Sequence, residues 1–331
     1  MYLGLWARCF DILLYIPRLE EKKTLIAIVG PTAVGKTAVA IKLAHLFDTH
    51  VISADSRQIF SELTIGTAKP SPQELDLVPH HFINTHSITE EYDAAQYGRD
   101  ALATISRLFQ EHNTLILCGG SGLYIKAVIE GFDAIPDVPT EVREELMKGY
   151  EQDGLEWLQQ QMQKLDPHHF ATIDQKNPHR LIRALEVRIA TGSSITTFRK
   201  ESRIVHDFNI IKIGLEVPRE ELYKRIDERM DRMIELGLFE EASALYQHRA
   251  RQALQTVGYQ EIFDFIDNKF DREEAIRLLK RNSRRYAKRQ MTWFNRDAQV
   301  HWFSPNAPEV IVQFIRKHAG EVDSDYKKAH E

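Results

Sequence analysis

A glycine-bounded string near the start of the chain constrains its fold more than any other feature. Residues 30–37 read Gly-Pro-Thr-Ala-Val-Gly-Lys-Thr and fit the pattern G-x-x-x-x-G-K-[ST]. An apolar, β-branched run at 24–29 precedes the string, and helical periodicity follows it over 37–44. In a strand–loop–helix unit of this kind, backbone N–H groups and the helix N-terminus surround one anion.

The string therefore predicts a phosphate-binding loop. The predicted ligand-binding residues are Gly30, Pro31, Thr32, Ala33, Val34, Gly35, Lys36 and Thr37. Lys36 adds a positive charge, and the hydroxyl of Thr37 is the candidate ligand of Mg²⁺. The alternative is an ordinary glycine turn without a ligand. Kinases, ATPases and other diphosphate-using enzymes share such a loop, so it does not identify the reaction.

Strand and helix patterns alternate after this loop. A second strand is predicted at 50–54, a helix at about 93–111, a third strand at 114–118 and a helix from about Leu123. This alternation predicts a parallel, doubly wound sheet. Residues from 136 to about 201 have a helical pattern without a convincing strand, and a strand pattern returns at 210–217. Pro218 is predicted to open the next helix at its first position.

We therefore expect an α/β fold with a P-loop NTPase-like doubly wound parallel sheet, an inserted helical subdomain and a helical C-terminal region. With 331 residues the chain is longer than one typical domain. The predicted boundaries are an N-terminal extension (1–23), the first part of the core (24–135), an inserted helical subdomain (136–205), the completed core with basic helices (206–305), and a C-terminal helix and tail (306–331).

Composition excludes several classes of protein. Cys9 and Cys118 are the two cysteines and have no metal-type spacing, which favours a reducing compartment and disfavours structural zinc. No stretch is long and apolar enough for a membrane span, and the apolar N-terminus lacks the features of a signal peptide. We expect a cytoplasmic protein without a membrane partner. For residues 1–23, an amphipathic extension or upstream start and a membrane-surface segment both remain open.

Asp55 is the candidate catalytic carboxylate. It follows the second predicted strand at its carboxyl end, where open α/β sheets place their ligands, so it should face the phosphate-binding loop. The alternative is a cap on a helix or turn. A nucleotide-hydrolysing enzyme would more often carry its magnesium aspartate after a later strand, but residues 115–118 lead into a Gly-Gly-Ser-Gly loop without a carboxylate. That absence disfavours an ATPase.

A basic segment lies near the C-terminus of a chain whose net charge is −5. It contains no acidic residue and includes Arg277, Lys280, Arg281, Arg284, Arg285, Lys288, Arg289 and Arg296. Arg281, Arg285 and Arg289 are spaced by four, as a row along a phosphate backbone would be. The predicted packed face of the same helix is Ile276, Leu279, Ser283, Tyr286, Gln290 and Trp293. The alternative is a basic helix face that is only solvated. Aromatic residues within 288–294 favour RNA binding over that alternative.

Several strings in one order resemble the tRNA dimethylallyltransferase (tRNA isopentenyltransferase) family. They are residues 30–37, 55–58, 66–70, 119–124, 177–186, 257–260 and 288–294, and the resemblance covers about residues 24–305. His179 stands where a glutamine or similar polar residue is expected, and Ser121 replaces a common threonine. Nothing resembles the zinc-finger extension of eukaryotic members.

The resemblance implies a substrate pair and a reaction. The phosphate-binding loop would hold dimethylallyl diphosphate with Mg²⁺, and the acceptor would be N6 of the adenosine immediately 3′ of the anticodon in tRNA. Asp55 would be the general base, while Lys36 and Thr37 would stabilise the departing diphosphate. Arg225 and Arg229 are candidates for further diphosphate contacts, with a surface salt bridge as the alternative. We expect a monomer.

The resemblance also implies contacts with the anticodon stem-loop of tRNA. The candidate tRNA-binding residues are Asp55, Ser56, Arg57, Gln58, Ser121, Arg143, His179, Arg180, Leu181, Ile182, Arg183, Gly258, Tyr259, Gln260, Arg281, Arg285, Lys288, Arg289, Gln290 and Trp293.

Three other functions are the alternatives to tRNA prenylation. A P-loop kinase of a nucleoside or small metabolite explains the loop and Asp55 but not the basic helix. A non-catalytic RNA-binding protein leaves Lys36 and Asp55 without a role. An enzyme that prenylates free adenine nucleotides shares the front half of the pattern, and the basic C-terminal helix disfavours it.

Overall fold

The computed structural model describes residues 23–133, 135–199 and 204–319. These residues form two compact units. The main unit contains the described residues up to 129 and from 205 onwards, and the helical unit contains those between 130 and 204. The predicted insertion starts at 136, whereas the helical unit starts at 130. The predicted N-terminal extension, apart from Lys23, and the tail after 319 lie outside the described residues.

The main unit is built on a six-stranded sheet with strand order β3-β2-β4-β1-β5-β6. The strands are β1 (Thr24–Val29), β2 (Val51–Ser53), β3 (His80–His81), β4 (Thr114–Cys118), β5 (Asn209–Leu215) and β6 (His301–Phe303). All pairings between them are parallel. The order agrees with the predicted doubly wound topology.

Helices of the main unit connect these strands. They are α1 (Lys36–Leu46), α2 (Pro72–Leu77), α3 (Ala94–Leu108), α4 (Gly122–Ile129), α8 (Arg219–Glu235), α9 (Leu238–Ala244), α10 (Gln260–Ile266), α11 (Arg272–Phe294) and α12 (Pro308–His318). Short 3-10 turns span Tyr246–His248 and Gln252–Leu254. The helical unit contributes α5 (Thr140–Leu165), α6 (Pro167–Phe170), α7 (Pro178–Thr191) and a 3-10 turn, Ile195–Phe198.

The central strand β1 is buried along its whole length. Leu25, Ala27 and Val29 belong to the apolar core on one face of the sheet, whereas Ile26 and Ile28 belong to the core on the other face. Side chains alternate between the faces of a strand, so a strand covered on both sides needs a continuous apolar run. This burial explains why 24–29 lacks the polar–apolar alternation of a half-exposed strand.

Two strands and one helix start differ from the sequence prediction. β3 and β6 have two and three residues, lie at the sheet edges and were not predicted, because such short strands carry no clear period. Pro218 is the residue before α8, which begins at Arg219, and not the first helical residue. Its fixed φ of −49° still directs the chain into the helix.

The helical unit has its own apolar core. Leu146, Leu158 and Met162 of α5 pack with the buried side chains of α7. The long α5 is two helical pieces joined at Gly154, whose φ of 73° is left-handed. Asn177 caps α7 by accepting a hydrogen bond from the N–H of Arg180, so part of the string 177–186 sets the start of a helix.

Candidate active site

A cavity of about 290 Å³ lies at the carboxyl edge of the sheet in the main unit. Lys36 and Thr37 line it from the phosphate-binding loop and α1, Asp55 and Gln58 from the segment after β2, and Arg229 from α8. In a parallel sheet the carboxyl ends of all strands meet at one edge, so the loops after β1, β2 and β4 converge there. The structure thus brings the predicted phosphate-binding loop and Asp55 into one space.

The phosphate-binding loop has the backbone that its glycines predict. Gly30 has a φ of +143°, and a Cβ there would lie 2.7 Å from the carbonyl oxygen of Leu215, so only glycine fits between β1 and β5. Thr32, Ala33 and Gly35 line the cavity, whereas the side chain of Val34 is buried in the core. Val34 is therefore a packing residue, and any contact with a ligand there would come from its backbone.

Lys36 is the cation of this loop. Its Nζ donates hydrogen bonds to the carbonyl oxygens of Gly30 at 3.1 Å and Pro31 at 2.8 Å. Burial lowers the pKa of Lys36 to about 8, although the nearby Asp55 acts in the opposite direction. An ammonium group that has lost most of its water interacts strongly with an anion that enters the same cavity.

Asp55 caps a turn and also lines the cavity. Its Oδ1 accepts hydrogen bonds from the backbone N–H groups of Arg57 at 2.9 Å and Gln58 at 3.3 Å, so it does cap a turn. Its Oδ2 accepts no hydrogen bond from the described residues, and Asp55 lines the cavity. One carboxylate oxygen thus fixes the side chain, and the other is left without a donor in that part of the chain.

Arg229 and Arg225 have different partners. Arg229 lines the cavity and donates to the hydroxyl of Thr32 at 2.5 Å. Arg225 donates to the carbonyl oxygen of Val34 at 3.3 Å and forms an ion pair with Glu221 at 2.5 Å. Both side chains therefore contact the phosphate-binding loop. Arg229 faces the cavity, whereas the charge of Arg225 is already balanced by Glu221.

Hydrogen bonds join the loops around the cavity. The hydroxyl of Ser121, in the loop after β4, accepts from the N–H of Ser56 at 2.9 Å and bonds the hydroxyl of Ser56 at 3.0 Å. The Nε2 of Gln58 donates to the carbonyl oxygens of Thr67 and Ala68, both at 3.2 Å. The strings 55–58, 66–70 and 119–124 are far apart in sequence but form one connected wall.

Comparison with known proteins then decides the family. The family model described as IPP transferase matches residues 58–297. The chain is 53% identical over 293 residues to the tRNA dimethylallyltransferase of Cytophaga hutchinsonii, a match that covers 88% of this chain and 96% of that protein. The chain belongs to the IPP transferase family.

Solved structures agree with this membership of the IPP transferase family. The tRNA isopentenylpyrophosphate transferase of Bacillus halodurans is 38% identical, with a TM-score of 0.67, and the match covers 94% of this chain and 100% of that chain. A eukaryotic dimethylallyltransferase acting on tRNA has the same fold, with a TM-score of 0.72 at 23% identity over 91% of this chain and 81% of that chain. The resemblance drawn from the motifs and the P-loop NTPase-like fold class are confirmed.

In this member of the IPP transferase family, the cations of α11 and of the segment just after it have different partners. Arg272 lies over the ring of Phe239, and the others fall into two groups. Arg277 pairs with Glu274 on its own helix, while Lys280 and Arg284 pair with Asp231 and Asp227 of α8. The other group, the unpaired basic row, has no ion pair within the described residues. It consists of Arg281, Arg285, Lys288, Arg289 and Arg296. The row contains the residues that sequence spacing singles out for RNA phosphates.

A second cavity, also of about 290 Å³, lies on the same part of α11. It is lined by Lys288, Arg289, Thr292, Trp293 and Arg296. Trp293 is 37% exposed, so it belongs only partly to the predicted packed face. Its indole ring packs against Gly122 at the start of α4 and also lines this second cavity.

The packed face of α11 differs from the prediction in other places as well. Leu279, Ser283 and Gln290 are buried as predicted, but Ala275, Ala287 and Phe294 fill the remaining buried positions, while Ile276 and Tyr286 are only partly buried. Small alanines allow close packing that a search for large apolar residues overlooks.

Gln290 is an internal link and not an exposed contact. Its Oε1 accepts from the N–H of Thr32 at 2.8 Å, and its Nε2 donates to the carbonyl oxygen of Gly120 at 2.9 Å. The side chain is 7% exposed, so its amide joins the phosphate-binding loop to the loop after β4. We therefore do not retain Gln290 among the residues expected to contact RNA.

Three further candidates for RNA contact have buried side chains. Tyr259 is 0% exposed and donates its hydroxyl to Glu241 at 2.7 Å. Leu181 and Ile182 belong to the core of the helical unit. The sequence prediction is corrected for these three side chains, which are buried. A sequence string that is typical of a family contains residues that pack the fold as well as residues that bind ligands. Gly258 is buried beside Tyr259, whereas Gln260 is exposed.

The remaining candidates in the helical unit are exposed. His179, Arg180 and Arg183 lie on α7, and Arg143 lies on α5. Arg143 and Arg183 both form ion pairs with the buried Glu186, at 3.1 and 3.2 Å. Two arginines are needed there because a buried carboxylate without a partner is strongly unfavourable. Among the described residues, His179 and Arg180 form no such ion pair.

Sequence reasoning missed residues that reach the site only through tertiary structure. Cys118, Glu74 and His80 line the first cavity, and Glu241 binds the loop at 64–66. The spacing of Ser71 and Glu74 indicates only a capping box at a helix start, which the structure has. Among the described residues, no helix combines the length and apolarity needed to cross a membrane.

Proposed function

We propose that this protein transfers a dimethylallyl group from dimethylallyl diphosphate to N6 of the adenosine immediately 3′ of the anticodon in tRNA, releasing diphosphate. One observation carries the proposal. A single cavity holds a partly buried lysine on a phosphate-binding loop and a carboxylate with one oxygen that accepts no hydrogen bond from the described residues. Relatives that match nearly the whole chain are tRNA dimethylallyltransferases, which supports the same reaction.

The diphosphate would occupy the phosphate-binding loop. Lys36 would turn from the carbonyl oxygens of Gly30 and Pro31 to the diphosphate, with Arg229 as a second cation. Within residues 23–133, 135–199 and 204–319, no group of three or more histidine, cysteine or acidic side chains is arranged to hold a metal ion. The hydroxyl of Thr37 fits Mg²⁺, which usually takes few protein ligands and completes its shell with substrate phosphate oxygens and water. The ion would supply charge neutralisation to the leaving diphosphate.

Asp55 would act on the acceptor. As the amine nitrogen bonds to the allylic carbon, the bond from that carbon to the diphosphate oxygen breaks and the nitrogen loses a proton. The Oδ2 of Asp55 would accept that proton, and the hydrogen bonds of Oδ1 to the turn at 57–58 support this assignment. Lys36 and the loop N–H groups stabilise the charge that grows on the diphosphate, so they favour the transition state over the ground state.

RNA would bind through positive side chains outside this cavity. The unpaired basic row of α11 would follow the phosphate backbone, and Trp293 would stack on an unpaired base. We also propose that His179 and Arg180 of the helical unit contact the anticodon stem-loop. The acceptor base must leave its stack to reach Asp55, as in other enzymes that modify bases.

Incubation of the purified protein with dimethylallyl diphosphate, Mg²⁺ and an anticodon stem-loop tests the proposal. Mass spectrometry should show the addition of one C₅H₈ unit to the adenosine 3′ of the anticodon. A stem-loop with guanosine at that position and free AMP are the controls, and neither should be modified. Transfer of labelled γ-phosphate from ATP to a small molecule, without prenylation of RNA, would favour a kinase instead.

We further propose that the protein works as a monomer in the cytoplasm, without a membrane partner. The buried free thiol of Cys118 supports a reducing compartment. Light scattering of the purified protein tests its mass in solution, and cell fractionation tests its location. A stable dimer, or recovery of the protein with membranes, would contradict this part of the proposal.

A further inference from the structure

The loop at residues 64–66 is bound by one carboxylate from a distant helix. Glu241 lies in the first turn of α9. Its Oε2 accepts from the N–H groups of Thr64 at 3.1 Å and Ile65 at 2.8 Å. Its Oε1 accepts from the N–H of Gly66 at 2.9 Å and from the hydroxyl of Tyr259 at 2.7 Å. Each oxygen therefore accepts two hydrogen bonds.

Such an arrangement fixes a loop firmly. Three successive backbone N–H groups bind one carboxylate group, as in an anion-binding nest. Hydrogen bonds to an ionised acceptor are about twice as strong as neutral ones. Burial, with the bond to Glu241 next in importance, raises the pKa of Tyr259, so its hydroxyl remains a donor at physiological pH.

The bound loop continues into the wall of the active-site cavity. Thr67 and Ala68, the next two residues, line the cavity, and their carbonyl oxygens accept from Nε2 of Gln58. The backbone N–H of Gln58 in turn donates to Oδ1 of Asp55. A continuous set of hydrogen bonds thus connects Glu241 to the segment that carries Asp55.

We propose that Glu241 is a positioning residue for prenyl transfer, which holds loop 64–68 so that Gln58 and Asp55 are correctly placed. The inference rests on the proposed function for the identity of the reaction. Glu241 touches neither the cavity nor the reacting atoms, so it acts only through the loop. Small misplacements of a catalytic group lower turnover strongly, because reacting atoms must be aligned within a fraction of an ångström.

Substitution of Glu241 by glutamine tests this role. The amide keeps the size of the side chain and one acceptor oxygen, but its NH₂ group faces N–H donors of the loop. We expect kcat to fall about tenfold, while KM for the stem-loop changes by less than about twofold. Glu240→Gln is the matched control, since Glu240 is the exposed neighbour on the same helix turn, and it should keep normal kcat.

Hydrogen exchange measures the loop independently of activity. In Glu241→Gln the amide hydrogens of Thr64, Ile65 and Gly66 should exchange faster, while those of β1 and β4 should be unchanged. The substitution Tyr259→Phe is milder, because it removes only the hydroxyl that donates to Glu241 and leaves the ring in place. It should lower kcat by about twofold. This variant keeps the test usable if Glu241→Gln fails to fold.

A role in global stability alone predicts a different pattern: Glu241→Ala would melt at a lower temperature but keep normal kcat at temperatures where it is folded. If Glu241 positions the loop, kcat of the folded variant should be lowered, and acetate should recover part of it because a free carboxylate fits the nest. Faster exchange at 64–66 with unchanged kcat would contradict the inference and leave the proposed function intact. A wild-type protein that prenylates no RNA would instead contradict the proposed function, whatever the exchange data show.

Discussion

The active-site cavity and the outer part of α11 use charge in opposite ways. In the cavity, Lys36 is partly buried and the carboxylate of Asp55 is held by a turn, so a few charges in fixed positions act on one small space. The unpaired basic row is spread along the outer side of α11 and just beyond its end. The first arrangement suits a chemical step, whereas the second suits attraction to an extended polyanion.

This difference shows that the function of a charged segment cannot be inferred from the number of its charges alone, because some of them are paired within the fold. Lys280 and Arg284 lie among the row in sequence but pair with acidic residues of α8. Their neighbours Arg281 and Arg285 have no such partner among the described residues. Substitutions in the cavity should therefore change turnover, and substitutions in the row should change affinity and its dependence on salt.

The largest effect should come from Asp55→Asn. Asparagine keeps the oxygen that caps the turn at 57–58 but removes basicity, so we expect kcat to fall by about 10² to 10⁴. Affinity for tRNA should be unchanged. Steady-state kinetics and filter binding measure the two quantities. Asp55→Ala is a useful companion, since it loses the cap as well and should also lower the melting temperature. Near-normal turnover in Asp55→Asn would remove Asp55 from the mechanism.

Lys36→Ala should have the next largest effect. The variant loses the fixed cation beside the departing diphosphate, so we expect kcat to fall roughly 10²- to 10³-fold. RNA binding should survive, because Lys36 lies in the active-site cavity and not in the unpaired basic row. Titration with the stem-loop and steady-state kinetics test both statements. A variant that loses RNA affinity while using dimethylallyl diphosphate normally would place the wrong ligand in the loop.

The comparison is sharpened by the triple variant in which Arg281, Arg285 and Arg289 become alanine. Loss of three phosphate contacts should lower the magnitude of the slope of log affinity against log salt by roughly two to three. Arg277→Ala is the control on the same helix, and its slope should barely change because Arg277 is already paired with Glu274. If the triple variant keeps the wild-type slope, the row is only a solvated face.

The smallest effect is a pH dependence that separates the two regions. Burial lowers the pKa of Lys36 to about 8, so the ammonium is present below that pH and is lost above it. At pH 9, kcat/KM for dimethylallyl diphosphate should be about tenfold below its plateau. Affinity for RNA should stay constant over the same range, because arginines remain charged. A flat profile for kcat/KM up to pH 9 would contradict the role of Lys36 as the binding cation.

The sequence alone determined the parts of the site that follow from local pattern and parallel topology. The loop at 30–37 and Asp55 each follow an apolar strand, and parallel strands bring such positions to one edge of the sheet. The string that marks α11 as basic and aromatic was also visible. Pattern could not show which members of a string face a ligand, as the buried side chains of Tyr259, Leu181 and Ile182 demonstrate.

Tertiary structure decided what depends on contacts between distant segments. Gln290 joins Thr32 to Gly120, Arg229 reaches the phosphate-binding loop, and Glu241 holds the loop at 64–66. The same packing of α8 against α11 neutralised two cations and left the basic row unpaired. Periodicity records which face of an element is buried, but the partner of a polar side chain is set by whichever segment the chain folds against it.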